Sequence, residues 1–280
     1  MPELPEVEIT ARRIGAALAG ARVESVHALG VNVLKTFDPP LSVLEGATFS
    51  QARRRGKLVQ LVFSDDHVLL IHLMSAGRLR LYDHSGSRRD RNLRLTVQFT
   101  DGRELRLREF GTKQRAWVKL LPKSQLAADE VLSKLGPDAW PKPSLEGITT
   151  SSRPLHALLR DQYVIAGIGR AWTDEILHQA KLGPFKKGSD LDQSERERLA
   201  SAIGGELGRG IEFYEETVSF PIPDKLPKPL RIHDHNGQPC PRCGNTLEAV
   251  FYSEHVLCYC PTCQTDGRLL KDRRLSRLLK

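Results

Sequence analysis

Four cysteines place the strongest constraint on how this 280-residue chain can fold. Cys240 and Cys243 form one CxxC pair, Cys260 and Cys263 form a second, and sixteen residues separate the inner two cysteines. Two such pairs on tight turns can surround a tetrahedral Zn²⁺ ion, and the spacing is typical of zinc ribbons. Because the four thiolates fill the coordination sphere, no position is left for a catalytic water. We therefore predict one structural zinc ion.

The segment between the two pairs predicts a β-hairpin. Residues 247–259 are rich in β-forming side chains, and the tip falls near Ser253, Glu254 and His255. A module this small depends on its metal for stability. Cys258 lies two residues before Cys260 and could compete for the metal, but we interpret it as a free thiol on the strand. All five cysteines of the chain lie in this region, which argues against a secreted, disulfide-bonded fold.

The amino terminus offers a candidate nucleophile. If Met1 is removed, the ring nitrogen of Pro2 becomes a terminal secondary amine. Such amines titrate near pH ~8, so a fraction is unprotonated at neutral pH and can attack a sugar C1′ to give an iminium. Glu3 and Glu6 would lie on one helix face beside it, where they could transfer protons. The same residues also fit an ordinary helix start, with proline and acids in the first turn.

The pattern of apolar residues changes once along the chain. A helix is predicted over residues 3–18, followed by alternating segments typical of strands up to residue 121 and by helical spacing from residue 124 to residue 217. This order predicts an α+β multidomain protein, with an N-terminal helix and β-sandwich, a helical domain and the zinc hairpin. The predicted boundaries are residues 1–122, 123–230, 231–264 and a basic tail at 265–280.

The charge of the chain indicates a polyanionic partner. A formal net charge of +8 favours nucleic acid over a membrane surface. No stretch approaches the roughly 18 apolar residues of a membrane helix, and the terminus has no secretory pattern. We therefore expect a soluble, cytoplasmic protein.

A glycine-punctuated turn gives a candidate phosphate site. Residues 161–170, DQYVIAGIGR, cannot continue a helix, and the backbone amides at the start of the next helix can bind phosphate beside Arg170. A generic turn between two helices would have a similar sequence.

Together these motifs resemble the formamidopyrimidine-DNA glycosylase/endonuclease VIII family. The resemblance rests on MPELPEVE at residues 1–8, Lys57, DQYVIAGIG followed by DEIL, and the two cysteine pairs, in the family's order. It implies a bifunctional glycosylase and abasic-site lyase with a helix-two-turn-helix domain. Pro2 would be the nucleophile, Glu3 the acid and base that opens the deoxyribose ring, and Glu6 its assistant. Lys57 would bind a phosphate or protonate the leaving side.

The resemblance also implies the partner. Double-stranded DNA containing a damaged base or an abasic site would lie in a basic cleft, with the damaged nucleotide flipped out of the duplex. We expect a monomer associated with the nucleoid.

Several candidate DNA contacts depart from the family pattern. Arg170 stands in place of an asparagine, His156 in place of a lysine, and His255 in place of an arginine. Met74 lies one residue earlier than the family's void-filling methionine, and since a one-residue slip reverses the side that a strand residue faces, a core position is the alternative. In the following loop, residues 108–115, Phe110 or Lys113 could intercalate and Arg115 adds a cation. The candidate DNA-binding set is therefore Met74, Lys113, Arg115, His156, Arg170 and His255.

These departures leave the substrate open. The first expectation is a glycosylase for oxidised or ring-opened bases. The alternatives are a relative specialised for oxidised pyrimidines or crosslinks, and a damaged-DNA-binding protein with weak catalysis.

Overall fold

The computed structural model describes residues 1–30, 32–252 and 255–270, with Tyr252 and His255 described by their backbones only. Ser253 and Glu254 at the predicted hairpin tip, the side chain of His255, and most of the predicted basic tail therefore lie outside the described residues. The chain forms two compact units. One contains Met1–Lys134 and Ile211–Pro227, and the other contains Leu135–Gly210 and Lys228–Lys280.

The first unit combines one long helix with two antiparallel sheets. One sheet has the strand order β1-β6-β7-β5 and the other has the order β2-β3-β4-β8. This arrangement confirms the predicted N-terminal helix and β-sandwich of an α+β protein. The elements are α1 (Leu4–Leu18), β1 (Val23–Ala28), β2 (Phe49–Arg55), β3 (Leu58–Phe63), β4 (His67–His72), β5 (Gly77–Tyr82), β6 (Leu93–Phe99), β7 (Glu104–Glu109) and β8 (Trp117–Pro122).

Helix α1 packs its apolar face on strands β2 and β3. Val7, Ile14 and Leu18 are fully buried, and their spacing places them on one stripe of the helix. Proline in the first turn favours the helix start because its fixed φ suits the first helical positions. Burial of this stripe fixes the amino terminus of the chain against the sheet.

Residues 124–135 do not form the helix that their spacing predicts. A 3-10 turn covers Lys123–Ala128 and then stops. The buried carboxylate of Asp129 accepts the backbone N–H groups of Val131 and Leu132, both at 3.0 Å, and pairs with the Lys119 ammonium. These local bonds compete with the helical hydrogen-bond pattern, which explains the difference.

The second unit contains the short helices, the hairpin and most of the longest helix. Its elements are α2 (Glu146–Thr149), α3 (Leu155–Arg160), α4 (Arg170–Ala180), α5 (Gln193–Thr217), β9 (Glu248–Tyr252), β10 (His255–Tyr259) and α6 (Pro261–Thr265). Helix α5 begins in this unit and ends in the first. Strands β9 and β10 pair antiparallel, as the predicted hairpin requires.

Two buried acids of α4 fix the segment that leads into the cysteine module. One Glu175 carboxylate oxygen accepts three successive backbone N–H groups, from Arg231, Ile232 and His233, at 2.8–3.0 Å. Its neighbour Asp174 lies 2.6 Å from Nδ1 of His233. Burial raises the pKa of Asp174 to about 6, although His233 opposes the shift. The module is therefore tied to α4 by hydrogen bonds to buried carboxylates.

Candidate active site and zinc centre

The amino-terminal residues form a closed hydrogen-bonded start to α1. Glu3 is the residue that caps the helix, and its backbone N–H donates to Glu6 Oε2 at 2.8 Å. The Glu3 carboxylate accepts from the Glu6 backbone in return, which completes a capping box. Met1 is 56% exposed, Pro2 is half-buried and Glu3 is 5% exposed. Two carboxylates therefore lie within one turn of Pro2, and Met1 is accessible to solvent.

Lys57 lies in the tight turn between β2 and β3. The turn has two residues, Gly56 and Lys57, and Gly56 has a φ of +57°. Glycine at this first turn position is typical of the type II′ hairpin, because residues with a side chain avoid positive φ there. Lys57 is buried, and its positive charge adds to desolvation in lowering the pKa of His72 to about 4.

Arg54 connects the turn of Lys57 to α1. Its Nε donates to Glu8 Oε2 at 2.8 Å, and one terminal nitrogen donates to the carbonyl of Gly56 at 3.2 Å. The Arg54 side chain is 5% exposed, so this ion pair is shielded from solvent. The structure thus anchors the turn that carries Lys57 to the helix that carries Glu3 and Glu6. Arg54 and Glu8 were not singled out from the sequence, where they are one of many charged pairs.

Met74 occupies a turn position that favours glycine. Its φ is +50°, and it follows β4 in a turn closed by the Gly77 N–H donating to the Leu73 carbonyl at 2.8 Å. A side chain on Gly77 would lie 2.3 Å from that carbonyl oxygen, so only glycine fits. Met74 is half-buried, whereas the next residue, Ser75, is exposed.

The loop after β7 is fixed at its base and exposed at its tip. The buried carboxylate of Glu109 accepts the backbone N–H groups of Arg115 at 2.8 Å and Ala116 at 3.0 Å. Phe110 is 47% exposed, and the Arg108 guanidinium lies 4.8 Å from its ring centroid. Lys113 and Arg115 are exposed on the same loop. The loop therefore presents an aromatic ring and two cations on a rigid base.

Gln162 organises the glycine turn between α3 and α4. Its amide nitrogen donates to the carbonyls of Arg160 and Ile168, and its oxygen accepts the Gly167 N–H at 2.9 Å. Gly167 has a φ of +109°, which a residue with a side chain rarely adopts. Arg170 is the first residue of α4, directly after Gly169. The turn thus places an arginine at a helix amino terminus.

His156 and His255, the other two candidate DNA contacts in this unit, lie outside the glycine turn. His156 is buried in α3, and its Nε2 lies 3.7 Å from Asp174 Oδ1, so little of its surface is available to a ligand. The backbone of His255 begins β10, but its side chain lies outside the described residues.

The four predicted cysteines converge on one point. Their Sγ atoms all lie within 4.8 Å of one another, with 3.9 Å between Cys240 and Cys263 and 3.5 Å between Cys243 and Cys260. Zn–S bonds of ~2.3 Å in tetrahedral geometry place sulfur atoms about 3.8 Å apart, so the cluster fits zinc. These residues would hold the predicted structural zinc ion.

Cys258 is separate from this cluster. It is buried among apolar residues that include Ile232 and Leu247, and desolvation raises the pKa of its thiol. The four-cysteine cluster does not include it. Its surroundings favour an apolar packing role.

Among the described residues, no helix is both long and apolar enough to cross a bilayer.

Three family models match the chain in sequence order. They are the formamidopyrimidine-DNA glycosylase N-terminal domain over residues 1–113, the formamidopyrimidine-DNA glycosylase H2TH domain over residues 135–221, and the zinc finger found in FPG and IleRS over residues 237–265. The zinc-finger match and the geometry of the cysteines together establish the structural zinc site.

Curated relatives and solved structures match almost the whole chain. Formamidopyrimidine-DNA glycosylase of Thermus thermophilus is 31% identical and that of Streptococcus mutans is also 31% identical, covering 95% and 94% of this chain and 100% and 99% of those proteins. Lactococcus lactis Fpg, in a complex with a THF-DNA and an inhibitor, is 26% identical with a TM-score of 0.84, covering 94% of this chain and 100% of that one. The structure of the same enzyme bound to DNA containing an oxidised pyrimidine is 26% identical with a TM-score of 0.83. This chain belongs to the formamidopyrimidine-DNA glycosylase family.

Proposed function

We propose that the ring nitrogen of Pro2, freed by removal of Met1, is the nucleophile of a base-excision reaction. The chain is a DNA glycosylase with an associated abasic-site lyase activity, as its family is, and DNA is its partner. The observation that carries the assignment of Pro2 is the capping box that holds Glu3 and Glu6 within one turn of it. The binding-protein alternative is disfavoured because each candidate catalytic residue is present.

The reaction divides into three steps. The Pro2 amine attacks C1′ of the damaged nucleotide and the bond to the base breaks, with the proton lost by the amine balancing the proton taken up by the departing base. Glu3 then protonates O4′ as the deoxyribose ring opens, which leaves an iminium between Pro2 and C1′. The resulting iminium withdraws electrons from C2′ and acidifies its proton. Loss of that proton expels the 3′ phosphate, and Lys57 is suited to bind a phosphate or to protonate the leaving side. Glu6 orients Glu3 through the backbone hydrogen bond between them.

The DNA contacts that we propose lie on three loops. The amino terminus of α4 and Arg170 would bind a backbone phosphate, because amides and cation converge there. Met74 and the loop of Lys113 and Arg115 would contact the duplex where the damaged base leaves the stack. Phe110 is the exposed ring best suited to fill the gap. His156 and His255 remain weaker candidates for phosphate contacts.

The substrate class that we propose is oxidised or ring-opened bases, with purines first. The support is the similarity to Lactococcus lactis Fpg, solved with DNA containing N7-benzyl-Fapy-dG. Oxidised pyrimidine is the second candidate, because the same enzyme has been solved with such DNA. We further propose that the protein acts as a monomer on chromosomal DNA.

Borohydride trapping on an abasic duplex tests the proposed function. Wild-type protein should form a covalent adduct, and Pro2→Gly should weaken trapping because a primary amine replaces a secondary one. Glu3→Gln should abolish base excision and retain DNA binding. A wild-type protein that binds the abasic duplex but forms no adduct would exclude this chemistry, and a panel of lesion-containing duplexes would rank the substrates.

A further inference from the structure

Helix α5 ends with a buried hydroxyl beside the catalytic carboxylates. Tyr214 is fully buried, and its Oη donates to Glu6 Oε1 at 2.7 Å. The two residues are separated by 208 positions in sequence. A phenol that donates to a carboxylate makes a short, charge-assisted hydrogen bond, roughly twice as strong as a neutral one.

The Glu6 carboxylate is thus held at both of its oxygens. Oε1 accepts from Tyr214, and Oε2 accepts the backbone N–H of Glu3. Rotation of the Glu6 side chain would break both bonds together. Glu3 follows Pro2 directly and donates its backbone N–H to Glu6. Movement of the Glu6 side chain would therefore change the position of the residue next to the proposed nucleophile.

The end of α5 is itself attached to α1. Arg12 donates to Glu215 Oε1 at 2.8 Å, and Arg13 donates to the backbone carbonyls of Glu215 and Val218, both at 2.8 Å. The ring of Phe213 packs edge-on against Tyr214 with 5.5 Å between centroids. The Tyr214 hydroxyl is therefore presented from a fixed backbone.

We propose that Tyr214 is a positioning residue for the glycosylase reaction, acting on Glu6 and through it on Glu3 and Pro2. This role rests on the proposed function of those three residues. Catalytic groups gain rate when their rotamers are fixed before the substrate arrives, because a small misplacement is costly. Tyr214 itself is fully buried, so it has no surface available to a substrate.

The test compares Tyr214→Phe with a matched packing variant, Phe213→Leu. The first removes only the hydroxyl, whereas the second changes the neighbouring ring and keeps both the hydroxyl and the Arg13 hydrogen bonds that hold the helix end. We expect Tyr214→Phe to lower the single-turnover excision rate about tenfold, as removal of a hydrogen bond to a charged group does. Its Kd for a duplex with an uncleavable abasic analogue should stay at the wild-type value. Phe213→Leu should leave both the excision rate and this Kd near their wild-type values.

A double-mutant cycle with Glu6→Gln separates positioning from general stability. If Tyr214 acts through Glu6, the double variant should be no slower than Glu6→Gln alone, whereas independent effects would multiply. Multiplied effects, or a wild-type rate in Tyr214→Phe, would overturn the role of Tyr214. A wild type that excises bases but is never trapped through Pro2 would overturn the proposed function itself, and this role with it.

Discussion

The side chain of His72 makes the stability of the folded protein depend on pH. It stacks on Trp117 with 5.6 Å between ring centroids, and its Nδ1 accepts the Met74 backbone N–H at 2.9 Å. Desolvation, with Lys57 second, lowers its pKa to about 4. The folded state therefore resists protonation of this ring, while the unfolded chain takes up a proton near pH 6.5.

This difference predicts a stability that falls with acidification. The contribution of His72 is complete above pH 6.5 and is lost as the pH falls from 6.5 to 4, because the unfolded state then binds the extra proton. The full loss is about 3 kcal/mol. His72→Asn keeps an acceptor for the Met74 N–H but does not titrate. Unfolding free energies measured across this pH range should fall less steeply in the variant, and parallel curves would contradict the assignment.

At the scale of elements, α1 is attached to strand β2 and to the end of α5 by ion pairs of unequal burial. The pair of Arg54 and Glu8 has side chains that are 5% and 16% exposed, whereas Arg12 and Glu215 are 38% and 33% exposed. Breaking a buried pair leaves an uncompensated charge, but an exposed pair is replaced by water and ions.

Substitution of the two glutamates should therefore differ in cost. Glu8→Gln should lower the free energy of unfolding by about 2 kcal/mol, less than the roughly 3–5 kcal/mol for a fully buried pair because the Glu8 side chain is 16% exposed. Glu215→Gln should lower it by less than about 1 kcal/mol. Denaturant unfolding followed by fluorescence measures both. Equal losses would show that burial does not decide the strength of these pairs.

The cysteine module gives the second prediction at this scale. Cys260→Ser removes one of four converging thiolates and should reduce the zinc content well below one ion per chain. Cys258→Ala is the matched control, because that thiol is buried among apolar residues two positions away. Metal analysis of the purified variants should find one zinc ion in the control. Loss of zinc from Cys258→Ala would place that residue in the ligand set.

Elements with strong local patterns could be predicted from the sequence, and those shaped by tertiary bonds could not. Helix α1 and the zinc hairpin follow from spacing and cysteine chemistry. Strand β5 carries a comparable local signal in the alternation of buried Leu79 and Leu81 with arginines. The irregular segment after β8 depends on the buried carboxylate of Asp129, which no local pattern reveals.

At the scale of the whole molecule, the proposed catalytic residues could be identified from the sequence because most of them lie in one local motif. Pro2, Glu3 and Glu6 lie in one octapeptide, and family resemblance adds Lys57. The groups that fix them could not be found in this way. Tyr214 is 208 residues from Glu6, and Arg54 is 46 residues from Glu8. Only folding brings such pairs within hydrogen-bonding distance. The sequence therefore predicts the proposed catalytic residues better than it predicts the residues that hold them in position.

The terminal nitrogen of Pro2 is the group that we propose attacks the sugar. The most direct measurement is mass spectrometry of the protein after borohydride trapping on abasic DNA and proteolysis. We predict an amino-terminal peptide that lacks Met1 and carries the reduced sugar fragment on Pro2. An adduct on Lys57 or another lysine, or an adduct on protein that retains Met1, would contradict it.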